Sequence, residues 1–300
     1  MRAKTKAWLI LATILVLMGA VLFAGVMSFL KWDFRNLAPL SYRTVTHEIQ
    51  EPFDSISVNT NTANVIFALA DDQKCKVTCY ETDKESHSVN VKDGVLTITQ
   101  EDQRSLYDYI GFYNESQQIT IYLPETKYET LLLQGNTFDM EVPTGFLFQN
   151  AELILSTGDV YFGASVLDTL RIQGSTADIV AENMTAGFMD LSVSTGDITL
   201  TNITGTDLAA TMSTGDISLH NVIAAQSFRI ETSTGDVKFT DCDAADIQIK
   251  TRTGDVNGNF LTNKVFVTEV STGDVNVPNT TTGGICRIQT GTGDIHLEIS

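Results

Sequence analysis

From Thr137 to the carboxyl terminus, apolar and polar residues alternate in short runs, and the runs recur at a nearly fixed distance. Between Asp216 and Thr234, Ile217 and Leu219 alternate with Ser218 and His220, the period-two signature of a half-buried strand. Asn221 and the small Ala224 and Ala225 follow as a corner, and then Phe228, Ile230 and Thr232 alternate with Arg229 and Glu231. Ser233-Thr234-Gly235 turns the chain into the next unit. The same template fits Ile198, Leu200, Leu208 and Ala210, and again Val237, Phe239, Ile247 and Ile249. Each unit opens on the phrase Thr-Gly-Asp followed by Val or Ile, intact at Asp159, Asp197, Asp216, Asp236, Asp255, Asp274 and Asp294. Thr176-Ala177-Asp178 and Thr137-Phe138-Asp139 are weaker copies. Successive aspartates are 20, 19, 19, 19, 20, 19, 19 and 20 residues apart. Such a period predicts an all-β fold, a parallel β-solenoid of 19–20-residue coils in which neighbours bury a shared core.

The repeated turn has a physical reason. Glycine adopts a positive φ without steric cost, and an aspartate can accept bonds from backbone N–H groups in a turn. At Ala177 and Phe138, either the conformation does not require glycine or those coils bend differently. The column Asp159, Asp178, Asp197, Asp216, Asp236, Asp255, Asp274 and Asp294 has two readings. The first is a row of turn ties. The second is a ladder of Ca²⁺ ions between carboxylates of adjacent coils, for which each ion needs six to eight oxygens. The turn ties are the expectation, with no resident cofactor.

Upstream the pattern changes. Ala7 to Leu30 is uncharged, long enough as a helix to cross a bilayer, and flanked by the chain's two tryptophans, Trp8 and Trp32. Tryptophan at both ends is the arrangement of a membrane-interface belt. Arg2, Lys4 and Lys6 precede the run and predict a cytoplasmic amino terminus with the rest of the chain outside, against the weaker opposing charge of Lys31 and Arg35. A cleaved signal peptide is the competing reading, but no good cleavage site follows the run. The expected organisation is a cytoplasmic tip and anchor over 1–36, a linker over 37–52, an irregular β segment over 53–136, and the regular array over 137–300. Within the irregular segment, Arg104 to Gln118 carries Tyr107, Tyr109, Phe112 and Tyr113 and reads as a long loop with buried aromatics, or as an aromatic contact surface.

Charge narrows the partners. The formal net charge is −18, and most of it lies in the repeats, which argues against nucleic acid. Cys75 and Cys79 are too far apart in an extended strand to bridge, Cys242 takes the corner position of Val222 and Ile203, Cys286 aligns with Phe228, and both of these read as small buried apolar residues, so four free thiols are expected. His47, His87, His220 and His296 show no ligand spacing, and serine and aspartate are so frequent that a catalytic triad has no specificity here.

The ordered series Phe53-Asp54-Ser55-Ile56-Ser57-Val58, Ala63-Asn64-Val65, Asp93-Gly94-Val95-Leu96-Thr97-Ile98, Ile119-Thr120-Ile121-Tyr122-Leu123-Pro124 and then serial Ser-Thr-Gly-Asp phrases resembles the bacterial putative-adhesin family, a domain of unknown function with β-strand repeats. The resemblance implies a surface or envelope β-solenoid and supplies no catalytic residues. Together these readings predict a membrane-anchored, extracytoplasmic, non-enzymatic module for adhesion or protein contact. A regulatory or sensory envelope protein is the alternative, and a carbohydrate-active β-helix enzyme the third. The expected partners are the bilayer through Ala7–Leu30, an envelope protein or surface glycan, and a second chain docked on the terminal strand Ile295–Ile299, which ends without a cap.

Overall fold

The computed structural model describes residues 3–29, 31–32, 42–71, 73–104 and 117–300. The aromatic-rich stretch expected as a loop, with Tyr107, Tyr109, Phe112 and Tyr113, lies outside these residues, as does the start of the expected linker.

Helix α1 (Ala3–Phe29) has no polar face, and from Trp8 to Val26 its side chains are exposed on every side. A helix apolar all round has no place on a soluble surface. Its span Trp8–Phe29 is long and apolar enough to cross a membrane. The helix ends in two left-handed residues, Lys31 and Trp32, at φ of 52° and 59°. The Trp32 N–H donates to the Met27 carbonyl at 2.8 Å, a bond that closes a helix terminus. The Trp32 ring folds back edge-on to Phe23 at 6.4 Å.

The strands form one sheet coiled into a solenoid of about 8 turns. The amino-terminal part holds β1 (Tyr42–Ile49), β2 (Ser55–Thr60), β3 (Asn64–Leu69), β4 (Cys75–Thr82), β5 (Glu85–Lys92), β6 (Val95–Asp102), β7 (Gln118–Leu123), β8 (Lys127–Thr137) and β9 (Met140–Val142). The middle holds β10 (Leu147–Thr157), β11 (Val160–Phe162), β12 (Ser165–Thr176), β13 (Ile179–Thr195), β14 (Ile198–Thr214), β15 (Ile217–Thr234) and β16 (Val237–Thr253). The far end holds β17 (Val256–Phe260), β18 (Lys264–Thr272), β19 (Val275–Asn276), β20 (Gly284–Thr292) and β21 (Ile295–Ile299).

Each middle coil has three inward runs rather than the two expected. In β14 these are Ile198 and Leu200, then Ile203, then Leu208, Ala210 and Met212. The first corner is made by Asn202 at φ 53°, and Asn183, Asn221 and Asp241 repeat that conformation in neighbouring coils. Asparagine and aspartate are the side chains that best tolerate this left-handed region. The corner asparagines also bond along the stack, Asn202 donating to Asn183 and Asn221 to Asn202, both at 2.9 Å. Ala224, expected in a corner, faces the core between two such corners. Phe228, Phe239 and Phe260 stack inside consecutive rungs at 6.4 and 5.1 Å.

At both ends the rungs are stacked out of chain order. At the amino-terminal end, β2 lies between β6 and β8, and β3 between β7 and β9, so the first rung in sequence is second in space. The antiparallel strands β5 and β4 cover that outer rung, and β1 pairs along its whole length with β4. Tyr42–Ile49 therefore is a strand where a linker over 37–52 was expected. Its sequence Tyr-Arg-Thr-Val-Thr-His-Glu-Ile carries few apolar residues, because it is an edge strand none of whose side chains is fully buried. At the carboxyl-terminal end, β20 inserts between β16 and β18, and β21 between β17 and β19. The expectation of Ile295–Ile299 as the open terminal edge is corrected by this insertion. Val256–Phe260 pairs with the whole of β21 on one side, and Val275 and Asn276 cover its start on the other. Ile295 and Leu297 are buried, and the outer edge passes mainly to β18.

Candidate functional site

The aspartate column is built by the turns, and its geometry explains the repeat phrase. Along the column from Asp139 to Asp294, each aspartate Oδ1 accepts the backbone N–H of the aspartate on the next rung. The distance is 2.8 Å from Asp197 to Asp178, Asp216 to Asp197, Asp236 to Asp216 and Asp255 to Asp236. The ladder then runs Asp294 to Asp255 and Asp274 to Asp294, also at 2.8 Å, following the spatial and not the chain order. Asp178 to Asp159 and Asp159 to Asp139 extend it at 3.3 and 3.0 Å. Carboxylates one rung, about 4.8 Å, apart repel by ~0.9 kcal/mol in water before salt screening. A bond from N–H to a charged group contributes about 1.5–3 kcal/mol, less where exposed, so the column holds without a counter-ion.

The preceding glycines sit where no side chain fits. Gly215 has φ +135°, and a Cβ there would lie 1.8 Å from the Gly196 carbonyl oxygen of the rung below. In the weak copies the backbone bond to the neighbouring rung survives, with Ala177 N–H to Thr195 at 2.9 Å and Phe138 N–H to Thr157 at 3.0 Å. There the side chain turns inward instead, and Ala177 and Phe138 are 3% and 2% exposed. Room for each comes from a glycine three residues earlier, Gly174 and Gly135, where other coils carry Val193 or Met212. That exchange is legible in the sequence once the repeats are aligned.

A second feature was missed at the sequence level. The outward side chains of β15, β16, β20 and β18 line a shallow groove of about 450 Å³ that merges with a neighbouring one of about 290 Å³. One column of its floor reads Arg229, Gln248, Arg287 and Val267 across the four rungs. The next reads Glu231, Lys250, Gln289 and Glu269. Arg252 stands beside Gly291, where other rungs carry serine. Of the seven basic residues from Thr137 onward, Arg229, Lys250, Arg252 and Arg287 are gathered here. Arg287 pairs with Asp246 at 3.0 Å, whereas Arg229, Lys250 and Arg252 make no ion pair with any described carboxylate. A signal existed in the sequence, since these four are alternate outward residues of adjacent second strands, but their grouping depends on the out-of-order stacking.

Burial pushes the thiols of Cys75, Cys79 and Cys286 up to about 12 and that of Cys242 up to about 11, which leaves them protonated and inert. Near the amino-terminal end the buried Glu81 accepts the His87 N–H at 2.8 Å and lies 3.2 Å from Arg43 of β1. Burial lowers the His87 pKa, against the opposing pull of Glu81. This cluster fastens β1 to the solenoid. Trp8 and Trp32 stand exposed at opposite ends of α1.

The profile of Toastrack DUF4097 matches residues 53–222 and 221–300. No curated protein matches the chain. A Parabacteroides distasonis structure described as a putative lipid binding protein superposes with a TM-score of 0.50 at 15% identity, covering 85% of this chain and 97% of that one. A putative adhesin from Bacteroides fragilis gives 0.46 at 17% identity, covering 86% and 97%. A second putative adhesin, from Parabacteroides distasonis, gives 0.47 at 14%, covering 85% and 97%. At such identities the first of these likenesses speaks to the fold alone. The profile, in contrast, runs from Phe53 to Ser300 through every coil of the solenoid, and by that match the chain belongs to the Toastrack DUF4097 family.

Proposed function

We propose that this protein is a single-pass membrane protein that holds a β-solenoid outside a bacterial cell as a non-enzymatic module for adhesion or protein contact. The observation that carries this reading is the joining of α1, apolar on every side, to a sheet array whose outer faces are polar. Trp8 and Trp32 are the two interface anchors of the span, and Lys4 and Lys6 keep the amino terminus in the cytoplasm. The description of solved relatives as adhesins agrees with an extracytoplasmic role. A non-enzymatic role is supported by the groove itself. Its side chains stand in parallel columns on one sheet face, spread along the rod rather than converging on one reacting atom.

Protease added to spheroplasts tests the topology. The expected result is loss of the solenoid with a short membrane fragment left behind. Full protection of the solenoid, or its release as intact soluble protein, refutes the anchored outward arrangement. Adherence of cells displaying the full chain, compared with cells lacking it, tests the role.

A further inference from the structure

We infer that the groove over β15, β16, β20 and β18 binds an anionic polysaccharide, a glycan with carboxylate or phosphate groups along an extended chain. The inference rests on the adhesion reading and names the ligand class of that module.

Charge is the first argument. The chain carries −18 overall, and its repeats are the acidic part, yet four of the seven basic groups of the array share one groove. Arg229, Lys250 and Arg252 are exposed and make no ion pair with a described carboxylate, and although Glu231 lies next to Lys250 across the rungs, the four cations of the groove outnumber its two carboxylates, Glu231 and Glu269. A positive spot within a negative field attracts an anion locally and repels polyanions everywhere else, so it selects position along the rod.

Spacing is the second argument. Arg229 and Arg287 stand in one column two rungs apart, about 9.6 Å, with the amide of Gln248 between them. An extended glycan advances by a similar length per sugar as the solenoid does per rung. A chain lying along the column therefore meets a guanidinium, an amide and a guanidinium in turn. Arginine offers a planar pair of donors that fits carboxylate and phosphate oxygens. The second column supplies what neutral sugar hydroxyls need, with Glu231 and Glu269 accepting, Lys250 donating and Gln289 doing both.

Shape is the third argument. The groove is open and elongated, and its floor is flat sheet rather than a closed cavity. Gly291 removes a side chain beside Arg252, which leaves the guanidinium reachable from the groove. A flat polar floor with charges at intervals suits a polymer better than a small molecule, which needs concave enclosure.

The test uses the full chain in neutral detergent micelles, with polygalacturonate, phosphomannan and uncharged dextran as probes. Polygalacturonate or phosphomannan, whichever carries the right anion, is expected to bind with an affinity that falls as salt rises, and dextran is expected not to bind. The variant Arg229→Gln/Lys250→Gln/Arg252→Gln/Arg287→Gln is expected to bind about tenfold more weakly or worse, since four exposed charge contacts are lost. Its melting temperature should match the parent because all four residues are exposed. The variant Arg171→Gln/Lys238→Gln removes basic groups of the same array outside the groove and is expected to bind like the parent. Binding of neither anionic polymer, equal binding of dextran, or an unchanged affinity in the fourfold variant overturns the inference. Because α1 itself enters bilayers, the lipid alternative is read by difference: retention on phosphatidylglycerol vesicles that exceeds retention on phosphatidylcholine vesicles, is lost in the fourfold variant and is not competed by either polymer overturns the inference in favour of a lipid surface. If displayed protein makes cells adhere and the fourfold variant does so equally well, the groove assignment fails while the adhesion reading stands. If the spheroplast test fails, the adhesion reading falls regardless of polymer binding.

Discussion

At the scale of single residues, the Thr-Gly-Asp phrase is a joint between rungs rather than a self-contained turn. Gly215 lets two backbones approach, and Asp216 reaches across to the N–H of Asp236 at 2.8 Å. The ladder has an end, because Asp274 on the outer rung accepts no N–H from a described residue. Asp216→Ala should therefore cost about 1 kcal/mol in urea unfolding, and Asp274→Ala close to nothing. Equal losses at both positions would mean that the bonds between rungs are not what the aspartates contribute. The same ladder predicts that EDTA leaves the melting temperature unchanged and that Ca²⁺ raises it no more than Mg²⁺ does. A saturable rise specific to Ca²⁺ would establish the cation ladder instead. His87 gives a pH dependence. Burial holds its folded pKa below the ordinary 6.5, despite the Glu81 carboxylate and with some help from His47. The unfolded chain then takes up the proton first, so this contribution is complete above 6.5 and is lost as pH falls below it. Burial raises the Glu85 pKa, which acts in the opposite sense from 4.5 upward and overlaps this window, so the histidine contribution is read from the difference between the parent and a His87 variant. A thermal scan should show the parent losing stability from pH 7 downward. His87→Phe should flatten that slope, and an unaltered slope would assign the effect elsewhere.

At the scale of elements, the two ends of the rod solve the problem of a terminal rung. A solenoid stacked in chain order leaves its last strand with one neighbour and a row of unpaired backbone groups. Here the last strand, β21, is drawn inside, and the rung before it becomes the cover. At the opposite end the first rung is drawn inside in the same way, and β4 and β5 close the stack with antiparallel pairing. Leu297, 2% exposed, should behave as a core residue and not as a frayed terminus. Leu297→Asp is expected to destabilise by about 3 kcal/mol or more, measured by urea unfolding, because it sets a charge among apolar side chains. A loss below about 1 kcal/mol would indicate that β21 is not held between β17 and β19.

At the scale of the whole molecule, the architecture divides labour. Acidic turn and corner residues line the edges of the rod, and one sheet face near the carboxyl-terminal end collects the cations. Much of this was legible beforehand. The 19–20-residue step announced the solenoid, because each rung must repeat the same inward alternation to share a core. The uncharged stretch from Trp8 onward announced the long apolar helix, since length and hydropathy are properties of one segment. The inward places of Ile217, Phe239, Cys242 and Cys286 followed from alignment of the repeats.

Tertiary structure alone decided the order of the rungs. Every copy of the repeat presents the same turn and nearly the same strand edges, so local sequence carries no label saying which rung lies next to which. The swap of β18 and β20 is settled by how well whole surfaces pack, including Lys264 drawn in against Asp243 and the irregular path after Val277 and Pro278. The groove inherits that decision. In chain order Gln248 would lie beside Val267, and only the insertion of β20 places Arg287 between them. The strand at Tyr42–Ile49 has the same cause. Its apolar signal is faint because none of its residues is fully buried, and the pairing that makes it a strand comes from β4 residues 26 to 40 positions away.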